Sequence, residues 1–122
     1  MQPKILIAED EEVLRQLLCM YLKRENYLIE EVDNGAEALE KGLMNDYDLI
    51  ILDILMPGKD GLTVLKELRK VKATPIVILT VEGGFSERTQ GIQMGATDYI
   101  FKPFSPAQFV KRIKEILESN KI

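Results

Sequence analysis

Histidine is absent from all 122 residues, and so is tryptophan. Without an imidazole there can be no Ser-His-Asp hydrolytic triad, no histidine-ligated metal, and no phosphohistidine carried by this chain. The single cysteine, Cys19, rules out an internal disulfide and sits in a helical apolar pattern, where it reads as a small core residue. Long hydrophobic runs are missing as well. The longest strongly apolar stretches, such as Leu49–Leu52 and Ile76–Leu79, are strand-sized, far short of the roughly 20 residues that cross a bilayer. The opening Met1-Gln2-Pro3-Lys4 has neither the apolar core nor the cleavage site of a secretory leader, so a cytoplasmic address and no membrane partner are the default expectation. The net charge is −4, with no face rich in Lys and Arg, so no nucleic acid is expected to bind through this domain. Chemistry here has to come from carboxylates, hydroxyls, lysine or backbone.

What is present is regular. Apolar residues make up 46% and charged residues 30%, a balance that supports a packed core, and neither a linker nor a repeat interrupts residues 1–122, which read as one domain. Strand-like runs (Lys4–Ala8, Leu28–Val32, Leu49–Leu52, Ile76–Thr80, Asp98–Phe101) alternate with helix-like segments (Glu12–Glu25, Ala36–Met44, Gly61–Val71, Phe85–Met94, Pro106–Glu118). In the first helix Val13, Leu14, Leu17, Leu18, Tyr21 and Leu22 fall on one face. Asn34 with Glu37 reads as a capping box for the second, and Ser105-Pro106-Ala107-Gln108 opens the last with a serine cap. Phe109, Val110, Ile113, Ile116 and Leu117 form its apolar stripe. The fourth segment is the weakest, because Gly83, Gly84, Gly91 and Gly95 lie in or beside it.

Five βα repeats with wholly apolar central strands predict a doubly wound α/β fold, a parallel five-stranded sheet with helices on both faces. The flavodoxin-like order 2-1-3-4-5 is the commonest choice for five strands under right-handed crossovers. Ligands of such sheets bind beyond the carboxyl ends of the strands where the winding reverses, between strands 1 and 3. Strand 1 runs into Glu9-Asp10, strand 3 into Asp53, strand 4 ends at Thr80 and strand 5 leads to Lys102. Singly, each has an ordinary explanation: a turn-forming Asp, acids at a helix N-terminus, a β-branched strand residue, a solvated lysine. Together they place three carboxylates, a hydroxyl and an ammonium at one edge. Clustered carboxylates repel, so one takes a proton or a cation sits among them. A hard divalent ion such as Mg²⁺ suits oxygen donors, with Asp10 and Asp53 as direct ligands and Glu9 holding a bound water. Asp53 would then be a nucleophile for phosphoryl transfer, with Lys102 and Thr80 addressing the phosphoryl oxygens.

The order and intervals of these pieces resemble the receiver domains of two-component response regulators over essentially the whole chain. The matching pieces are Glu9-Asp10, Asp48-Leu-Ile-Ile-Leu-Asp53, Met56-Pro57-Gly58-Lys59-Asp60-Gly61, Ile78-Leu79-Thr80, Gly95-Ala96-Thr97-Asp98-Tyr99 and Lys102-Pro103-Phe104. The resemblance implies that Asp53 accepts a phosphoryl group from a sensor histidine kinase, that Glu9, Asp10, Asp53 and the backbone carbonyl of Leu55 bind Mg²⁺ (Mn²⁺ substituting), and that Thr80 and Tyr99 form a switch pair. It implies a cis bond at Lys102–Pro103. It also implies output to a downstream protein or fused output domain through the fourth helix, fifth strand and fifth helix, a face that can also support a dimer. Such a chain is no enzyme in the ordinary sense, since it catalyses only its own phosphorylation and dephosphorylation. Two positions depart from the family's commoner pattern: Val81 stands where a small residue is usual, and Leu55 stands where some relatives carry a polar group. Both predict a long-lived acyl phosphate. Three rivals remain open at this stage. An FMN-binding electron carrier would share the fold, but Glu9 to Glu12 would repel its phosphate. A phosphatase using an Asp nucleophile would want a second Asp where Leu55 stands. A degenerate receiver would act only as a docking module.

Overall fold

The computed structural model describes residues 2–81 and 95–119. In chain order the elements are β1 (Lys4–Ala8), α1 (Glu12–Lys23), β2 (Leu28–Val32), α2 (Gly35–Met44), β3 (Leu49–Asp53), α3 (Gly61–Arg69), β4 (Ile76–Val81), β5 (Asp98–Lys102) and α4 (Pro106–Ser119). The predicted helix over 85–94 lies outside the described residues. The strands form one parallel sheet in the order β2-β1-β3-β4-β5, as the repeat pattern predicts.

The sheet divides two cores, and the period-2 geometry of a strand is what sorts its residues between them. Ile5 and Ile7 of β1, Leu49 and Ile51 of β3, and Val77 and Leu79 of β4 pack with Leu18 and Leu22 of α1 and Phe109 and Ile113 of α4. Their neighbours Leu6, Ala8, Ile50, Leu52, Ile76 and Ile78 point the other way, against Ala38 of α2 and Val64, Leu65 and Leu68 of α3. Both faces of the central strands are therefore covered, which is why β3 has no polar residue until its last position. Each fully buried aliphatic side chain contributes about 1.5–3 kcal/mol by leaving water.

Helix ends follow local chemistry. Asn34 Oδ1 accepts from the Glu37 amide at 2.9 Å and Ser105 Oγ accepts from the Gln108 amide at 3.0 Å, the two caps the sequence predicts. Asp60 caps α3 in the same way, accepting from the Thr63 amide at 2.8 Å. The first helix ends at Lys23, two residues sooner than its apolar pattern suggests. Asn26 enters the left-handed region (φ 67°), and the amides of Glu25 and Asn26 turn back to the carbonyls of Leu22 and Lys23.

The apolar face of α1 is only partly buried. Leu18, Cys19 and Leu22 are buried, whereas Val13 is 66% and Leu17 39% exposed. The apolar arc of this helix is wider than its contact with the sheet, so the Leu14–Leu18–Leu22 line turns inward and the Val13–Leu17 line faces out. In α4 the expected stripe is buried except for Val110, which is half-buried.

Candidate functional site

Strand register brings the reactive side chains to one edge. Ala8 pairs with Leu52, Asp53 with Leu79, and Thr80 with Phe101, so the residues that end β1, β3, β4 and β5 come out on nearly the same level. Beyond them lies a cavity of about 310 Å³ whose wall includes Glu9, Asp10, Asp53, Leu55, Thr80 and Lys102. All the residues expected at the phosphoryl and metal site therefore meet there. Tyr99 stands apart from that wall, 6% exposed in the same core layer as Leu6 and Ile78, its ring 6.3 Å from that of Phe101.

Each acid is held differently. Glu9 is fully buried; its Oε1 accepts from Lys102 Nζ at 3.0 Å and its Oε2 from the Glu11 amide at 3.1 Å. Asp53 is 5% exposed; its Oδ2 accepts from Lys102 Nζ at 2.6 Å and its Oδ1 from the Leu55 amide at 3.2 Å. Asp10 is exposed, yet it offers an oxygen that lies with those of Glu9 and Asp53 inside a 4.8 Å cluster. Thr80 is 4% exposed. The Lys102–Pro103 peptide is cis, as the family resemblance implies.

The charges do not balance. Burial, and then the neighbouring Asp53 carboxylate, push the Glu9 carboxyl up to about 7. Burial alone would lower the Lys102 ammonium, but the hydrogen bonds it donates to Asp53 and Glu9 outweigh it and the net shift is upward, so the lysine stays charged. One half-buried ammonium thus faces two buried carboxylates and a third at the rim. Three hard oxygen donors within 4.8 Å of one another, one of them driven toward protonation, fit a small divalent cation such as Mg²⁺. Asp10 supplies the solvent-facing donor through which an ion can enter.

The loop that follows Asp53 is pinned on several sides. The Ile54 amide donates to Leu79 O at 3.1 Å, and Ile54 O accepts from the Gly61 amide at 2.8 Å, which closes the loop at its neck. A Cβ on Gly61 would stand 2.2 Å from Asp53 O, so glycine is required for this approach. Support beneath Glu9 comes from Arg15, whose Nη1 donates to Glu9 O at 2.9 Å while its Nε donates to Glu31 at 2.9 Å. Sequence reasoning gave Arg15 no role; it lies six residues beyond its acceptor on an otherwise solvent-facing part of α1, and no spacing rule marks that contact.

Comparison with known proteins agrees with this geometry. A family model described as the response regulator receiver domain matches residues 5–114. The chain is 53% identical over 116 residues to the transcriptional regulatory protein ResD of Bacillus subtilis, covering 95% of this chain and 48% of that protein. It is 47% identical over 117 residues to SrrA of Staphylococcus aureus, also named a transcriptional regulatory protein, covering 96% of this chain and 48% of that one. The chain thus spans about half the length of these relatives. Among solved structures, a two-component response regulator from Clostridium difficile superposes with a TM-score of 0.93 at 31% identity, covering 99% of this chain and 100% of that one. A Francisella response regulator receiver domain gives a TM-score of 0.92 at 31% identity, covering 98% of this chain and 100% of its own.

Proposed function

Because this chain belongs to the response regulator receiver domain family, we propose that Asp53 accepts a phosphoryl group from a histidine kinase and that the added charge resets the surface around β5 and α4. The observation that carries this reading is the meeting of Glu9, Asp10, Asp53, Thr80 and Lys102 on one cavity. An Oδ of Asp53 attacks the phosphorus of the donor phosphoimidazole. The O–P bond forms as the N–P bond breaks, and the electron pair leaves on the imidazole nitrogen. Lys102, already bridging Glu9 and Asp53, supplies positive charge for the phosphoryl oxygens, and Thr80 supplies a hydroxyl donor. Glu9, Asp10, Asp53 and the Leu55 carbonyl would hold Mg²⁺ (or Mn²⁺), whose double positive charge screens the carboxylates from one another and from the incoming phosphoryl group.

Phosphorylation adds roughly 1.5–2 negative charges. Thr80 then turns toward the new oxygens, and Tyr99, whose ring is buried, moves in concert with it. The modified protein favours one of two pre-existing arrangements. Output passes to a linked or separate partner through the surface around β5 and α4, which would also serve a dimer; the predicted fourth helix, the other part of that expected surface, lies outside the described residues. In this reading the chain turns over no other substrate and works in the cytoplasm. Among the described residues, no helix is long and apolar enough to cross a membrane.

Mass spectrometry after incubation with acetyl phosphate and Mg²⁺ tests the proposal. A single phosphoryl adduct is expected on the wild type and none on Asp53→Asn; an adduct that survives the substitution, or no adduct on the wild type, overturns it. Leu55, 72% exposed at the cavity, offers no polar group to orient water on the acyl phosphate. Loss of the phosphoryl group is therefore expected to quicken in Leu55→Asn, and an unchanged decay rate refutes a long-lived state owed to this residue.

A further inference from the structure

The first residue of α2, Gly35, touches the acceptor loop at a point remote in sequence from all the groups assigned above. Helix N-termini leave their first amides without an intrahelical partner. The Gly35 amide takes Pro57 O instead, at 3.2 Å. A Cβ built on Gly35 would stand 1.7 Å from Lys59 O, 2.5 Å from Lys59 C and 2.9 Å from Lys59 Cα. No rotamer change relieves such an overlap, because all three atoms are backbone. Between those two contacts, a Cβ added to Gly58 would come to 3.8 Å from the Ala36 amide nitrogen, so this part of the loop also runs close to the helix start. Three consecutive loop residues, 57 to 59, therefore lie directly on the first turn of α2. The same loop begins with Asp53 and Leu55 and is closed at its neck by Gly61.

We propose that Gly35 is a positioning residue for the acidic pocket: the bare first turn of α2 is the seat that fixes the far side of the 54–60 loop, and hence the placement of the Asp53 carboxylate and the Leu55 backbone at its near end. This inference rests on the Mg²⁺-dependent phosphoacceptor reading. It adds that the metal and phosphoryl geometry is set partly from the outer strand-helix unit, through a contact that has no side chain at all.

The test compares Gly35→Ala with Gly42→Ala. Gly42 lies on the same helix, but the atoms nearest a Cβ there belong to the Leu68 side chain, its movable end at 2.9 Å, and neither Gly42 nor Leu68 lines the acidic cavity. Urea unfolding places both variants on one stability scale. Calorimetric titration with MgCl₂, well below either melting point, is expected to give an affinity about 10–100-fold weaker for Gly35→Ala, the range seen when supports of metal ligands are removed. Its phosphorylation by acetyl phosphate should slow in parallel, while Gly42→Ala stays near wild type in both. In the metal-free protein, the amides of Ile54 and Gly61 should exchange faster in Gly35→Ala than in Gly42→Ala. Equal Mg²⁺ affinity and exchange in the two variants overturns the proposal. A wild type that neither binds Mg²⁺ nor accepts phosphate on Asp53 overturns the underlying functional reading instead. If Gly35→Ala does not fold, the wild type decides. Coupling between sites is reciprocal, so Mg²⁺ should slow exchange of the Gly35 amide more than that of the Gly42 amide, and equal slowing overturns the seat.

Discussion

Two glutamates on neighbouring strands ionise in opposite directions. Glu9, just past the carboxyl end of β1, is pushed up to about 7 by burial and by Asp53. Glu30, in β2 toward the other edge of the sheet, is pulled below its ordinary value, chiefly by the Tyr47 hydroxyl, which donates to it at 2.8 Å. Lys4 and Lys41 add ion pairs to Glu30 at 3.2 and 3.8 Å, and the Lys4 ammonium also sits 5.2 Å over the Tyr47 ring. Around Glu30, two ammoniums and a phenol hydroxyl serve a single carboxylate. Around Glu9, one lysine serves two buried acids while a third waits at the rim. The sheet is the same and the residue type is the same, so the difference lies in what each edge is arranged to receive. The Glu30 edge is closed and structural; the Glu9 edge carries an uncompensated negative charge that a cation relieves.

The sharpest way to break this contrast is to remove the lysine from each edge. Lys102→Met should lower the rate of Asp53 phosphorylation by acetyl phosphate about 10²–10³-fold, the loss typical of deleting one preorganised electrostatic group, while Lys4→Met leaves that rate unchanged. Time-resolved mass spectrometry reads both, and equal rates for the two variants would remove the distinction between the edges.

Glu9→Gln sharpens the same contrast through pH. The Glu9 pKa is raised on folding from 4.5 to about 7. Its contribution is therefore fully present below about 4.5 and is lost as pH rises through about 7. The glutamine variant has no such loss, so between pH 5 and pH 8 its stability should rise relative to wild type by on the order of 2 kcal/mol. Mg²⁺ should narrow the gap, because it favours the ionised wild-type site. Urea titrations at the two pH values, with and without the metal, check this; a gap that does not vary with pH refutes it.

A smaller effect is expected at the closed edge. Tyr47→Phe removes one hydrogen bond to a partly exposed carboxylate and should destabilise the fold by about 1 kcal/mol at neutral pH. Glu30 has the opposite sign to Glu9: its contribution is present above its unfolded pKa and is lost as pH falls through the lowered folded value. The Tyr47→Phe penalty should thus fade in acid, whereas that of Glu9 grows toward base. Urea midpoints measured across the acidic range follow the trend.

Much of this was legible in the chain itself, for physical reasons. Wholly apolar runs such as Leu49–Leu52 announced strands covered on both sides, and the acids, Thr80 and Lys102 stood at the strand ends where an α/β sheet places its chemistry. The strand order came from the rarity of other windings, and the structure has that order. What stayed hidden depends on contacts between distant backbones. Which line of α1 turns inward is decided by the width of the groove it fills, so the sequence pattern does not separate the exposed Val13 and Leu17 from the buried Leu18 and Leu22. Arg69 donates to the carbonyls of Gly95, Lys72 and Thr74 at 2.8, 3.2 and 2.6 Å and so ties the start of β5 to the end of α3, across 26 residues that no periodicity connects. Gly35 carries no mark in the sequence, because a missing side chain leaves no pattern to read.

The bond from the Ile54 amide to Leu79 O has a quieter effect. Leu79 is covalently joined to Thr80 as Ile54 is to Asp53, so a single hydrogen bond and two peptide links separate the backbone of the acceptor from that of the hydroxyl. The span between these two backbones is gauged by the sheet itself. Under the proposed function, traffic across the gap would be carried by side-chain rotation, which would let the pocket respond to a phosphoryl group without loosening the strands that frame it.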